Sequence, residues 1–299
     1  MEIIIHLGLH KTGSTFFQKN VFKSFDGWHY IDRTDLEQFK FYVLNTSEFN
    51  FSLNRAYSIF INLFSNNSCP ERVIISDEEF CGMPYMGAID RKIIANRLIN
   101  IFKKDELKFF LVLREQQALL KSLYLQYIKT GGTANPVEFM NFGKQPLLIN
   151  SNYFLFYEYL SFLEDRIGEQ NVLCLLFEEF SDSPYTFFKK VADFIDIEFN
   201  YEETEKSVKN FSINPVFLRI MIFLNKFSRS YKNPFGFLPF GFYRLYSGAI
   251  IRCSVWLKFK RQDINMLGFN QTEKLSLKDS NRKLIGRMDQ ASLMKYRYL

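Results

Sequence analysis

Four short runs of apolar residues punctuate the chain, at positions 3–5, 73–75, 107–113 and 172–177. Their β-branched and aromatic content predicts strands buried on both faces, the pattern of a parallel sheet. Segments of helical period lie between them. Helices are expected over 14–25, 87–103, 115–129, 150–167 and 181–195, with 33–68 helical but broken by loops. The clearest is 115–129, where Leu119, Leu120, Leu123, Tyr124, Tyr127 and Ile128 make one buried face and Gly131 and Gly132 end it. Strands alternating with helices predict an α/β fold: a three-layer P-loop-like domain with a central parallel sheet of about four or five strands and helices on both faces. A mainly helical C-terminal extension follows. Phe39, Tyr42 and Phe49 are read as core, and His6, inside the first strand, as a core histidine.

Chemistry collects at the expected strand ends, where open α/β sheets bind ligands. After the first strand come Gly8, Leu9, His10, Lys11, Thr12, Gly13, Ser14 and Thr15. A strand, a glycine-containing turn and a helix start form a phosphate cradle, to which Lys11 adds a charge and Thr12, Ser14 and Thr15 add hydroxyls. The spacing of Gly8 and Gly13 matches the nucleotide triphosphatase P-loop, G-x-x-x-x-G-K-[ST]. Ser14, however, stands where that motif has its lysine, and the lysine has moved to position 11. After the second strand comes an acidic cluster, Asp77, Glu78 and Glu79; after the third comes Arg114, with Ser122 eight positions on in the following helix. A guanidinium and a hydroxyl at that separation can converge on one phosphate. Glu178 and Glu179, at the end of the last strand, are read as structural.

The run Lys11-Thr12-Gly13-Ser14-Thr15 after a chain-initial strand resembles the 5′-phosphosulfate loop of sulfotransferases that use 3′-phosphoadenosine 5′-phosphosulfate (PAPS). Arg114 and Ser122 resemble the same family's 3′-phosphate motif. Ser76, Glu78 and Phe80 are similar to a segment of the bacterial carbohydrate sulfotransferases of the capsule and lipopolysaccharide type, where a glutamate is the base. The likeness covers about residues 2–228 and 270–299, and only the Lys11 and Arg114/Ser122 motifs are specific. It implies PAPS held by Lys11, Thr12, Gly13, Ser14, Thr15, Arg114 and Ser122, and a carbohydrate acceptor deprotonated by Glu78, with Glu79 and His10 as alternatives. No metal is implied. One departure is the lack of a clear counterpart to the glycine- and lysine-containing loop that closes on the 3′-phosphate in the small-molecule branch; Lys258, Lys260 and Arg261 are candidates on charge alone. A competing reading, an ATP-dependent P-loop kinase, is disfavoured by Ser14.

Composition adds two constraints. Cys69, Cys81, Cys174 and Cys253 have neither zinc-finger nor disulfide-framework spacing, and no run reaches the ~18 apolar residues of a membrane span, so a cytoplasmic protein is expected. The net charge of +6 is uneven: 206–261 holds eleven Lys and Arg and no Asp or Glu, interleaved with aromatics. The reading therefore divides the chain into a PAPS-binding core (1–205), a basic aromatic extension (206–262) and a C-terminal segment packing on the core (263–299). The extension is a candidate contact to an acceptor, lipid-linked or polymeric, or to the anionic inner face of a membrane, making the protein peripheral there. No nucleic-acid partner is expected.

Overall fold

A computed structural model describes residues 1–64, 68–86, 88–140, 149–198, 215–256 and 267–299. Its strands are β1 (Glu2–Gly8), β2 (His29–Tyr30), β3 (Arg72–Ser76), β4 (Glu106–Leu113) and β5 (Val172–Leu176). They form one parallel sheet in the order β2-β3-β1-β4-β5. β1 is central, with Ile5 opposite Ile75 on one side and Phe109 on the other. All five carboxyl ends therefore point the same way. The two-residue β2 was not legible in the sequence, because so short an edge strand has no periodicity to read.

Two compact units divide the chain. The first comprises residues 1–115, 151–203 and 272–299 and contains the whole sheet. Helices Arg33–Asn45, Leu53–Ile61, Arg91–Ile101, Phe156–Ile167 and Pro184–Phe194 belong to it. On one face of the sheet Ile4, Ile74, Phe110, Val112 and Leu175 join Phe17, Phe22, Phe177, Phe180, Phe187 and Phe188 in an aromatic-rich core. Elsewhere in the unit Phe39, Phe60 and Phe102 form a cluster of rings, with Phe60 and Phe102 at 4.8 Å. Phe39 and Tyr42 are buried as expected, but Phe49 is fully exposed in the loop after its helix, so its reading as core is corrected.

The second unit comprises 116–150 and 204–271, with helices Gln116–Lys129, Pro136–Met140, Pro215–Phe227 and Tyr243–Trp256. Asn225, buried within it, donates through Nδ2 to the carbonyls of Ile128 and Gly132, both at 2.7 Å, and ties two helices together. The Gln116–Lys129 helix ends as its glycines predict: Gly131 has φ +91°, and a Cβ on Gly132 would lie 2.3 Å from the Tyr127 ring.

The expected helix 14–25 forms with a change of pitch. One α turn (Ser14–Phe16) passes into a π turn (Phe17–Val21) and then a 3₁₀ turn (Phe22–Ser24). Wider turns change which residues face inward. Here consecutive residues Phe17 and Gln18 are both buried, the ring in the aromatic core and Gln18 Nε2 donating to the Ser76 carbonyl at 3.2 Å and its Oγ at 3.1 Å.

His6 is buried as expected, stacked on Phe110 at 4.9 Å with Nδ1 2.7 Å from Ser76 Oγ. Burial pushes its pKa from 6.5 down to about 3. The folded protein holds it neutral while the unfolded chain protonates it below pH 6.5, so its contribution to stability is complete above that pH and is lost as pH falls toward 3. His10, lowered to about 4, acts with the same sign. The free energy of urea unfolding is therefore expected to fall between about pH 7 and 5, and to fall less steeply in His6→Gln. Equal slopes in the two proteins would contradict this.

Candidate active site

The loop leaving β1 is shaped by two residues in the left-handed region, Lys11 at φ +70° and Gly13 at φ +87°. Such a loop turns successive backbone N–H groups toward a common concavity, which favours an anion. For a lysine this conformation is unusual and needs support. Thr12 supplies some from inside: buried, it donates through Oγ1 to the Leu9 carbonyl at 2.6 Å. Its hydroxyl is thereby a brace for the loop. Ser14 is also buried, while Lys11 and Thr15 lie at the surface. Gly8 is required for space, because a Cβ there would come within 3.0 Å of His6 Cε1.

Arg114, at the end of β4, supplies the second support. Its Nη1 donates to the Lys11 carbonyl at 2.7 Å, and its guanidinium lies 4.9 Å from the centre of the Phe177 ring. That ring also packs on Gly13, where a Cβ would sit 3.3 Å from it. Glu178 follows in sequence. Its Oε1 accepts from the Glu115 backbone N–H at 3.0 Å and its Oε2 from the Tyr298 hydroxyl at 3.1 Å; Asn281 Nδ2 in turn donates to the Tyr298 carbonyl at 2.7 Å. Burial raises the Glu178 carboxyl, and those two donors and Arg114 pull it back; burial lowers Arg114, and Glu178 opposes that. Glu178 thus serves Arg114 electrostatically, a role with no local signal in the sequence because its partners lie 63 and 120 positions away.

The acidic cluster lies at the end of β3. Asp77 caps the 3₁₀ turn Glu78–Cys81 by accepting from the Glu79 N–H at 2.9 Å. Its buried carboxylate pairs with Arg33 Nη2 at 3.1 Å and Lys40 Nζ at 3.2 Å. Burial raises the Asp77 carboxyl, and the capping N–H and the two cations pull it back. Glu79 pairs with Lys40 at 3.3 Å. Glu78 Oε1 accepts from Arg33 Nη1 at 3.2 Å, while Oε2 is buried with no hydrogen-bond partner among the described residues. From behind, buried Arg91 donates through Nε to the Cys81 carbonyl at 2.8 Å, fixing the far end of the turn. Arg33 and Lys40 went unrecognised in the sequence, where nothing links a helix beginning at 33 to residues 77–79.

His10 joins the two strand ends. Burial lowers its pKa to about 4; Glu78 and Glu79 raise it, and Lys11 and Arg33 lower it further. These five side chains therefore share one electrostatic neighbourhood. At neutral pH the imidazole is uncharged, and its Nε2 is buried without a hydrogen-bond partner among the described residues. The fold thus brings together Lys11, Thr12, Gly13, Ser14, Thr15 and Arg114 at one loop, and His10, Glu78 and Glu79 beside it. Ser122 belongs to the second unit, on helix Gln116–Lys129. Lys258, Lys260 and Arg261 lie outside the described residues. Among the described residues no group of three or more His, Cys, Asp or Glu is arranged to hold a metal ion.

A left-handed loop of backbone N–H groups with a lysine at its rim and an unpaired carboxylate oxygen nearby is suited to moving a negatively charged group onto a nucleophile. The chain is similar in structure to a sulfotransferase from Alicyclobacillus acidocaldarius, with a TM-score of 0.52 at 13% identity, over 85% of this chain and 95% of that one. Mouse sulfotransferase SULT7A1, whose structure is complexed with PAP, aligns with a TM-score of 0.43 at 14% identity, over 99% and 89% of the two chains. No curated protein sequence matches the chain. The sulfotransferase domain model matches residues 2–216, which takes in the whole parallel sheet, the Lys11 loop and the Glu78 turn, and the chain belongs to the sulfotransferase family.

Proposed function

We propose that this enzyme transfers the sulfuryl group of PAPS to a hydroxyl, or an amine, of a carbohydrate acceptor, with Glu78 as general base. The observation that carries the proposal is the Glu78 carboxylate: one oxygen is held by Arg33 and the other is buried with no hydrogen-bond partner among the described residues, in the same neighbourhood as Lys11. A carboxylate so placed can accept a proton from a bound hydroxyl. The carbohydrate assignment rests on the likeness of Ser76, Glu78 and Phe80 to the carbohydrate branch of the family.

The family's co-substrate, PAPS, supplies an electrophilic sulfur and a phosphate leaving group. The acceptor oxygen forms the new bond to sulfur as the sulfur–phosphate oxygen bond breaks, and the acceptor proton passes to Glu78 Oε2. In this reading Lys11 offsets charge on the departing phosphate, and the backbone N–H groups of 12–15 hold it. Arg114 and Ser122 are assigned to the 3′-phosphate on their sequence separation. The Arg114 guanidinium carries five donors, of which the Lys11 carbonyl takes one. His10 and Glu79 are the alternatives for the base: burial lowers the His10 pKa to about 4, and Glu79 is ion-paired with Lys40 at 3.3 Å as Glu78 is with Arg33 at 3.2 Å.

The 206–262 stretch is assigned to presentation of a glycan acceptor, lipid-linked or polymeric, at the inner face of a membrane.

Two substitutions test these roles. Glu78→Gln is expected to lower turnover by about 10² to 10⁴ while leaving the affinity for adenosine 3′,5′-bisphosphate within about twofold. Near-normal turnover would remove Glu78 from the mechanism. Tyr298→Phe deletes a donor that favours the ionised form of Glu178. The carboxyl then protonates at higher pH, so the acid limb of kcat/KM for PAPS moves upward in pH in this variant, with kcat at alkaline pH unchanged. A uniform loss at every pH would show a purely structural role for Tyr298.

A further inference from the structure

In the second unit, helix Pro215–Phe227 leads into residues 228–242, whose tip reads Asn233-Pro-Phe-Gly-Phe-Leu-Pro-Phe-Gly-Phe242, ten residues without a charge. The tip displays its apolar side chains outward. Phe235 is 94% exposed, Tyr231 91% and Phe237 75%, and Phe240 is exposed as well. The rings continue along the helix, Phe237 meeting Phe227 at 5.5 Å and Phe227 meeting Phe223 at 5.1 Å. Soluble surfaces seldom carry so many adjacent exposed aromatics unless something covers them.

The backbone beneath them is closed on itself. Arg229 N–H donates to the Leu238 carbonyl at 3.2 Å, Leu238 N–H to Phe227 at 2.9 Å, Gly241 N–H to Arg229 at 3.1 Å, and Ser230 and Asn233 exchange backbone bonds at 2.9 and 3.1 Å. Asn233 Nδ2 bridges the carbonyls of Asn225, Lys226 and Ser228. Gly236 is needed for this closure, since a Cβ there would lie 2.3 Å from the Ser228 carbonyl carbon. Much of the backbone of this loop is thus paired within itself, which lowers the cost of laying it against lipid while its rings face outward.

Charge selects the partner. Residues 215–256 contain six Lys and Arg and no Asp or Glu. Arg219, Lys226, Arg229, Arg244 and Arg252 are at the surface, whereas Lys232 is turned inward, its Nζ 2.6 Å from Thr130 Oγ1. Exposed aromatics in a segment that also exposes cations and holds no acidic residue suit a surface that is apolar within and anionic at its rim. No helix of the described residues is long and apolar enough to cross a bilayer, so such a contact lies on the membrane. We propose that the 228–242 loop is a membrane-docking element, seating Phe235, Phe237 and Phe240 among the lipids of an anionic bilayer while the exposed cations of the same segment, Lys226 and Arg229 among them, contact headgroup phosphates. This assignment does not depend on which acceptor is sulfated.

The test is sedimentation of the full chain with phosphatidylcholine vesicles, with and without phosphatidylglycerol. Binding is expected only to the anionic vesicles and is expected to fade at high salt. The variants F235S/F237S and R219E/K226E should each lower the bound fraction by about tenfold. Both should bind adenosine 3′,5′-bisphosphate as the parent does, which shows that they remain folded. The charge-reversal pair lies on an exposed helix face, so it keeps the test open if the loop variant misfolds. Absence of binding by the intact chain, or equal binding to neutral vesicles, would overturn the proposal. So would a dimer of the intact chain that F235S/F237S dissolves, which would make the aromatic tip a protein interface.

Discussion

The hydrogen bond from Arg114 to the Lys11 carbonyl is the interaction on which the candidate site of the first unit depends. Lysine does not adopt the left-handed region without compensation, and a loop that relaxed would withdraw both its N–H groups and its ammonium from an anion. Arg114 can supply the restraint because parallel register carries β4 past β1, Gly8 standing opposite Val112, so that the two strand ends emerge side by side. Its charge is tolerable there because Phe177 faces the guanidinium and Glu178 offsets it. Tyr298, far away in sequence, completes the arrangement by holding Glu178. One residue therefore connects the loop, β4, the short helix Phe177–Asp182 after β5 and residue 298.

The same register explains the second half of the site. β3 pairs with β1 on its other edge, with His6 opposite Ser76, so the acidic turn emerges beside the lysine loop. Three carboxylates in sequence would repel one another, and Arg33 and Lys40 neutralise that repulsion unequally. Asp77 takes both cations and becomes a cap, Glu79 takes Lys40, and Glu78 takes Arg33 through Oε1, leaving its Oε2 without a hydrogen-bond partner among the described residues. Division of labour among adjacent identical groups is thus set by which neighbours reach them.

Much of this was legible in the sequence, for identifiable reasons. The four longer strands announced themselves as apolar runs, and Lys11, Glu78 and Arg114 could be picked out because each follows such a run within a few positions. What stayed hidden was long-range. Arg33, Lys40 and Tyr298 meet their partners only through the fold, and a one-dimensional pattern holds no trace of those meetings. Local pitch was hidden too: the π turn at Phe17–Val21 follows from packing Phe17 and Gln18 on the same sheet, which helical periodicity alone would place on different faces. Phe49 shows the converse failure, an aromatic residue assigned to the core by its type and left outside by its loop.

The proposed chemistry requires that the Lys11 loop cradle the PAPS nucleotide. The most direct test is calorimetric titration of the protein with adenosine 3′,5′-bisphosphate in the absence of Mg²⁺, beside Lys11→Ala. Saturable, metal-free binding by the parent, weakened at least about tenfold in the variant, is the predicted result. A folded protein that ignores the bisphosphate and instead binds ATP with Mg²⁺ would contradict it.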